Sequence, residues 1–240
     1  MRLDKFLADA GIGTRSEVKT AIRKRFVSVN GTLAKDPGMA VCETDMVLYK
    51  DQPVNTAKTG YFLMNKPSGC VCANKDDSKT VFDLMSMQDR KGLFTVGRLD
   101  KDTEGLLLLT DDGAFAHALT SPRRHVNKTY YFEGEGCLVE QAVAKAEEGI
   151  DIGDDKLTEP AKLVILTASP ESKTVTGELT ISEGRFHQVK RMMKKLGVTI
   201  TYLKRLSIGD LCLDPNLLPG QYRPMTEEEL ALLQPERKKT

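Results

Sequence analysis

The first fifty residues alternate short apolar stripes with polar turns, which is typical of a small mixed unit. A first helix is predicted by apolar residues that recur three to four positions apart: Leu3, Phe6, Leu7 and Ala10. The Gly-Ile-Gly segment 11–13 ends this helix.

A second helix is predicted to follow at once. Segment 14–17, Thr-Arg-Ser-Glu, has the spacing of a capping box, and the helix it opens continues to about Arg25. Val18, Ile22 and Phe26 give this helix its apolar stripe. The segment 27–33 then predicts a strand that enters an Asn-Gly hairpin turn, and 41–49 predicts another apolar strand.

The polar segment 51–58 contains a proline and has no periodicity, so we interpret it as a linker. It divides the chain into residues 1–56 and a second domain over 57–240. Strands dominate the second domain, and the expected strands are 61–65, 92–96, 106–110, 128–133, 161–167, 174–181 and, in pieces, 199–213. Helices are expected at 114–119, 138–147 and 185–196, with a short helix in the charged tail 227–240. This order indicates an α+β fold with a mainly antiparallel sheet flanked by helices.

Residues 97–105, Gly-Arg-Leu-Asp-Lys-Asp-Thr-Glu-Gly, form a polar run directly before four leucines, 106–109. The leucines predict a buried strand, and Asp112-Gly113 beyond it predicts a tight turn. The polar run is therefore a loop that a rigid strand holds at the mouth of a sheet, a position that favours chemistry. Asp100 is the candidate nucleophile.

Charge is balanced over the whole chain, with 35 Lys plus Arg against 34 Asp plus Glu, so a basic surface must be local. One lies on the second helix, where Arg15, Lys19 and Arg23 share a face and are joined by Lys24 and Arg25. Such a patch suits phosphate binding, and the alternative is a solvated helix face.

The five cysteines are scattered and the three histidines are far apart in sequence, so we expect reduced thiols and no metal site. No window has the length or hydropathy of a signal peptide or a membrane span, which predicts a soluble cytoplasmic protein.

Residues 1 to about 48 resemble an S4-type RNA-binding domain. The resemblance rests on Arg-Leu-Asp-Lys-Phe-Leu at 2–7, Thr-Arg-Ser at 14–16 and Val-Ser-Val-Asn-Gly at 27–31. It implies that the basic helix and the hairpin lie against structured RNA.

Four further blocks resemble the motifs of RNA pseudouridine synthases, in particular the branch that carries an S4 domain and acts on ribosomal RNA. They are 61–69, 97–105, 121–130 and 183–192, in family order. The resemblance implies that Asp100 is the catalytic aspartate of an isomerase. In this reaction the C1′–N1 bond of a uridine breaks, the base turns, and a C1′–C5 bond forms, with neither a cofactor nor a metal. The carboxylate could attack C1′, attack the base ring or assist glycal formation, and the uridine must first leave its stack.

The resemblance also assigns Tyr130 as the tyrosine that packs on the target base, against the alternative of an ordinary strand tyrosine. It assigns Lys190, or Arg191 if the alignment slips by one, as the cation that pairs with Asp100, against the alternative of a solvent-facing lysine. Arg98 is expected to steer the nucleotide or to pair with a carboxylate. Further phosphate contacts are expected from Arg123, Arg124, His125 and Arg185. The motif residues Lys66 and Pro67 are expected to shape a turn, and His125 and His187 show no spacing that suggests acid–base work.

Within the family, the blocks at 121–125 and 186–192 look most like the branch that acts on 16S RNA of the small ribosomal subunit. The resemblance therefore implies that the partner is 16S RNA or a small-subunit assembly intermediate. We also expect the protein to be a monomer. The alternatives are an enzyme of 23S RNA, a catalytically silent RNA-binding assembly protein, and a carboxylate glycosidase, which needs a second catalytic acid such as Asp102 or Glu104.

Overall fold

The computed structural model describes residues 1–42, 45–54 and 60–233. Its internal contacts divide the chain into two compact units, Met1–Thr59 and Gly60–Thr240. The boundary proposed at 56/57 and residues 55–58 of the proposed linker lie outside the described residues. The first half of that segment is not a linker, because Gln52–Pro53 forms a short strand of the first unit.

The first unit packs two helices against a small antiparallel sheet. Its elements are α1 (Leu3–Asp9), α2 (Arg15–Arg23), β1 (Val27–Val29), β2 (Thr32–Leu33), β3 (Val47–Tyr49) and β4 (Gln52–Pro53), with the strand order β2-β1-β3-β4. The predicted capping box is confirmed, because the Thr14 amide donates to Glu17 Oε2 at 2.7 Å and the Glu17 amide donates to Thr14 Oγ1 at 3.3 Å. The hairpin turn is also confirmed, since Asn30 and Gly31 both have positive φ between β1 and β2.

Three predictions for this unit need correction. Helix α2 ends at Arg23, because Arg25 adopts a left-handed conformation with φ of 58°. The Phe26 side chain is 41% exposed and does not extend the apolar stripe of α2. Of the strand predicted at 41–49, only Val47–Tyr49 forms, and residues 43–44 lie outside the described part.

The second unit is built on a larger mixed sheet. Its strands are β5 (Tyr61–Lys66), β6 (Phe94–Thr95), β7 (Glu104–Thr110), β8 (Lys128–Gly136), β9 (Lys162–Ser169), β10 (Thr174–Ile181), β11 (Val198–Ile208), β12 (Leu211–Cys212) and β13 (Tyr222–Pro224). Its helices are α3 (Gly113–Thr120), α4 (Ala142–Glu148), α5 (Gln188–Lys195) and α6 (Glu227–Leu233), with 3-10 turns at Val81–Leu84 and Pro122–Arg124.

The strand order is β13-β5-β7-β11-β8-β10-β9, with β6 on β7 and β12 on β11. All of these pairs are antiparallel except β7 with β11, which is parallel. The prediction of an α+β fold with a mainly antiparallel sheet is confirmed.

Strand β7 lies inside this sheet and is buried on both faces. Leu107 and Leu109 pack in one apolar cluster, whereas Leu106 and Leu108 pack in another on the opposite face. A strand covered on both faces needs apolar residues at every position, which explains the run of four leucines.

Two predicted boundaries beside the site are wrong. Asp112-Gly113 does not make a tight turn: Asp112 caps α3, and its Oδ1 accepts hydrogen bonds from the amides of Ala114 and Phe115. Helix α5 begins at Gln188 rather than at 185, because His187 has φ of 49° and cannot be part of the helix. Within the described ranges, no helix combines the length and the hydropathy needed to cross a bilayer.

Candidate active site

The loop between β6 and β7 presents Asp100 at one end of the sheet. Leu99 and Thr103 are buried on either side of it, and the Leu99 amide donates to Cys72 Sγ at 3.4 Å. The Asp100 side chain between these anchors remains 28% exposed. The loop is therefore fixed to the core while its carboxylate is accessible.

Lys66, the last residue of β5, holds this loop in place. Its side chain is fully buried, and Nζ donates to the carbonyl oxygens of Pro67, Lys101 and Thr103 at 3.1, 3.2 and 2.8 Å. Burial lowers the pKa of the Lys66 ammonium, and the three carbonyls offset part of its lost hydration. Lys66 shapes the loop and does not face the reactants.

Two side chains from the start of α5 approach the Asp100 carboxylate. Lys190 Nζ lies 3.3 Å from Oδ2, and His187 Nε2 lies 3.5 Å from Oδ1. Lys190 is shared, because its Nζ also lies 2.5 Å from Asp102 Oδ1. Partial burial would raise the pKa of Asp102, but the hydrogen bond and charge of Lys190 lower it.

Of the two neighbouring cations, only Lys190 reaches Asp100. Arg191 turns the other way, where Nη2 donates to the carbonyl of Ile152 at 2.6 Å and to Asp154 Oδ1 at 2.5 Å. These bonds tie α5 to the segment before β9, so the structure places Arg191 outside the cleft.

Tyr130 on β8 lines the same cleft as the Asp100 loop. Its side chain is 7% exposed, and its hydroxyl accepts a 3.5 Å contact from Nη1 of Arg205. Arg205 is 2% exposed, and its Nε donates to the Leu106 carbonyl at 2.7 Å. The Arg205 guanidinium also lies over the Tyr130 ring, with its central carbon 6.0 Å from the ring centroid, and supports the tyrosine in the cleft wall.

Lys128 belongs to the same wall, two residues before Tyr130 on β8. Its Nζ donates to the carbonyl of Val126 at 2.7 Å. Burial and the positive charge of Arg205 lower the pKa of Lys128 to about 8.

These side chains line one cleft of about 580 Å³. Its polar residues include Asp100, His187, Lys190, Tyr130, Arg205 and Lys128, and Ile181, Leu203 and Ile208 supply apolar surface. A cleft of this size with apolar walls and a few convergent polar groups is typical of a small-molecule or nucleotide site.

The arginines predicted to contact phosphate lie at different places in the second unit. Arg98 lines the cleft and is exposed, whereas Arg123 and Arg124 are exposed on a 3-10 turn away from the cleft lining. Arg185 also lines the cleft, but the protein itself engages it: it bonds to Glu183 and to the carbonyls of residues 156 and 157. These bonds hold Arg185 at the cleft edge, and its contact with an RNA phosphate stays a prediction.

At the cleft mouth, the rings of Phe186 and His187 stack with centroids 3.8 Å apart and planes 17° from parallel. Phe186 is 72% exposed although it is large and apolar. Phe186 lies within the helix predicted at 185–196, but α5 begins only at Gln188, so Phe186 precedes it and stays exposed. The stacked pair offers a flat surface on which a nucleobase can stack.

Several site residues were not predicted from the sequence: Arg205, Lys128, His187 and Phe186. One signal was present for Arg205, because strand alternation places it on the same face as Leu203. A charged residue at an inward position of a strand marks a functional or paired group.

In the first unit, the five cations predicted to bind RNA are all exposed: Arg15, Lys19, Arg23, Lys24 and Arg25. Val18 and Ile22 on the other side of α2 are buried. Among the described residues, none of the five forms a salt bridge.

Comparison with known proteins gives consistent matches over both units. The family of RNA pseudouridylate synthases matches residues 60–195, and the S4 domain family matches residues 1–47. An uncharacterized RNA pseudouridine synthase of Bacillus subtilis is 44% identical over 97% of this chain and 98% of its own length. Ribosomal small subunit pseudouridine synthase A of Haemophilus influenzae is 42% identical over 97% of this chain and 99% of its own length.

Among solved structures, a crystal structure of a pseudouridylate synthase matches with a TM-score of 0.69 and 42% identity, over 98% of this chain and 100% of that one. Near-complete coverage at this identity is evidence for a shared fold and a shared reaction type. The chain is an RNA pseudouridine synthase with an S4 domain at its N-terminal end.

Proposed function

We propose that this enzyme converts one specific uridine of 16S ribosomal RNA to pseudouridine, with Asp100 as the catalytic carboxylate. The observation that carries the proposal is the position of Asp100: an accessible carboxylate next to Lys190, in a nucleotide-sized cleft that Tyr130 also lines. Relatives named ribosomal small subunit pseudouridine synthase A, at 39–42% identity, favour the small-subunit RNA over 23S RNA.

The carboxylate acts on a uridine that has left its stack and entered the cleft. The positive charge of Lys190 favours the ionised form of Asp100, which is the form that can attack C1′ or the base ring or assist glycal formation. Tyr130 packs on the extruded base. Asp102 shares Lys190 and sets its position.

Basic and aromatic groups are proposed to guide the rest of the RNA. The exposed cations of α2 bind phosphates, as do Arg98, Arg123 and Arg124. The exposed Phe186 ring stacks on a base next to the target. The enzyme is proposed to act as a monomer, in the cytoplasm where ribosomes assemble.

The test is to map pseudouridine in 16S and 23S ribosomal RNA from cells that carry the wild-type gene, no gene, Asp100→Asn or Asp100→Ala. We expect one 16S modification to disappear in all but the wild type, while both variants still bind RNA. Asp102→Asn is the matched control and should lower the rate by less than about tenfold, because Asp100 keeps its lysine.

Full activity of Asp100→Ala would remove Asp100 from its role. A lost modification in 23S RNA would instead identify the large-subunit alternative, and unchanged RNA in the deletion would mean that the substrate is another RNA.

A further inference from the structure

Two cations beneath the cleft have no carboxylate partner among the residues that the structure describes. Arg205 is almost fully buried, and its Nη2 makes no hydrogen bond within that part of the chain. Lys128 is half-buried, and its Nζ donates to the carbonyl of Val126. Burying a positive charge without a counter-charge is costly, so this arrangement calls for an explanation.

The sheet places both cations on the face that lines the cleft. Lys128 and Tyr130 are two residues apart on β8, and Arg205 lies opposite Tyr130 on β11. All three line the cleft that contains Asp100. The positive charge of Arg205 therefore lies under the cleft surface beside Tyr130, where it acts on a bound ligand oxygen although Nη2 itself is buried.

We propose that Arg205 and Lys128 form an anion site that stabilises the negative charge developing on the uracil base. This inference rests on the proposed function. When the C1′–N1 bond breaks, its electron pair leaves with the base, and the charge spreads over N1, O2 and O4. If Asp100 instead adds to C6, the charge appears on O4, so the site serves every route open to the carboxylate.

The two cations stabilise negative charge, and they neither give nor take an atom in the reaction. C5 of the turned base gives an electron pair to C1′, the C5 proton leaves, and N1 gains a proton, so the RNA is isomerised without a co-reactant. Because a neutral uracil carbonyl binds a guanidinium more weakly than an anionic oxygen does, the site favours the transition state over the bound substrate.

A backbone phosphate would also satisfy a guanidinium, but the position argues for the base. Arg205 is buried beneath Tyr130, whereas the exposed Arg98 lies on the cleft lining nearer to solvent. The flat base can reach the floor, while the phosphates must follow the RNA backbone outside.

The experiment compares Arg205→Met with wild type under single-turnover conditions, on 16S RNA transcribed with either uridine or 5-fluorouridine. Fluorine withdraws electrons and stabilises the base anion, so cleavage of the fluorinated nucleoside depends less on the protein cations. We expect Arg205→Met to slow uridine conversion by roughly a hundredfold. The loss on 5-fluorouridine, followed as its consumption by nucleoside mass spectrometry, should be several-fold smaller, with the Kd for RNA within about twofold of wild type.

Lys204→Met is the matched control, since Lys204 is the neighbouring cation on β11 and does not line the cleft. It should behave as wild type on both RNAs. Arg205→Lys keeps the charge and should show an intermediate loss, and it replaces Arg205→Met if that variant fails to fold.

Equal losses on the two RNAs would overturn the proposal, as would a raised Kd with an unchanged single-turnover rate, which would indicate a phosphate contact. Asp100→Asn, assayed alongside, separates the two ideas. Activity in that variant defeats the proposed function, whereas an inactive Asp100→Asn beside a wild-type-like Arg205→Met defeats the anion site alone.

Discussion

At the scale of single residues, the protonation of Lys128 makes a prediction about pH. Its pKa is lowered to about 8, so the ammonium is charged below that pH and neutral above it. Arg205 on β11 and Tyr130 on β8 face it, and Asp100, His187 and Lys190 line the rest of the cleft. If the charge of Lys128 stabilises the base anion, the single-turnover rate falls as the pH rises through about 8.

Lys128→Arg tests this directly, because arginine stays protonated throughout the range. The variant should keep a flat rate profile from pH 7 to pH 9.5 where the wild-type rate declines, measured with excess enzyme over 16S RNA. The same decline in both proteins would show that another group titrates.

Some of the site residues could be predicted from the sequence, and others could not. Asp100, Tyr130 and Lys190 belong to blocks that resemble family motifs, and the structure brings all three to one cleft. Arg205 and Lys128 could not be assigned to the site from the sequence. They line the cleft because β8 pairs with β11, and Tyr130 and Arg205, which meet in that pair, are 75 residues apart. His187 was missed because a left-handed residue before a helix has no simple sequence signal.

At the scale of elements, the parallel pairing of β7 with β11 fixes the relative positions of the Asp100 loop and Arg205. Gly105 lies opposite Arg205 in this parallel pair and has φ of 99°. A Cβ there would lie 2.3 Å from the Arg205 carbonyl oxygen and 2.7 Å from its nitrogen. Only glycine lets the two backbones approach this closely.

Gly105→Ala should therefore lower the free energy of unfolding by about 2–4 kcal/mol and reduce activity, since strand separation displaces both the Asp100 loop and Arg205. Gly113→Ala at the start of α3 is the matched control, because its Cβ would meet nothing within 4 Å. Denaturant unfolding and pseudouridine formation measure the two effects. Equal stability of both variants would mean that the strands can move apart without cost.

Element types were more predictable than element ends. The period-two and period-3.6 patterns indicated the strands and helices around the cleft, because burial on one face leaves a clear signal. The ends at Arg23 and Gln188 depend on left-handed residues outside the helices, and Asp112-Gly113 suits a turn as well as a helix cap. Such choices are decided by tertiary packing rather than by local sequence.

At the scale of the whole molecule, the two units carry different candidate surfaces. The first unit carries a dense cationic helix, whereas the described residues that line the Asp100 cleft belong to the second unit. A formal net charge of +1 conceals a local patch, because five of the ten Lys and Arg residues of 1–59 lie within 15–25, where Glu17 is the single acid. Each unit should therefore respond to different substitutions.

The division predicts that reversing Arg15, Lys19 and Arg23 to Glu weakens RNA binding without changing the chemical step. Each phosphate contact contributes about 0.7–0.9 to the slope of log K against log salt, so losing three contacts should reduce that slope by roughly two to three. The single-turnover rate at saturating enzyme should stay near wild type. Filter binding of 16S RNA at several salt concentrations measures the first effect.

Net charge alone could weaken binding, so a second triple variant is needed. Lys91, Lys145 and Lys162 are exposed on the second unit, and reversing them changes the charge by the same amount. If α2 contacts phosphates directly, the first variant loses salt slope and the second mainly keeps it, since long-range repulsion is screened beyond about 10 Å at 0.1 M salt. Equal slopes in the two variants would show that the helix is a solvated face, and RNA recognition would then have to lie around the cleft.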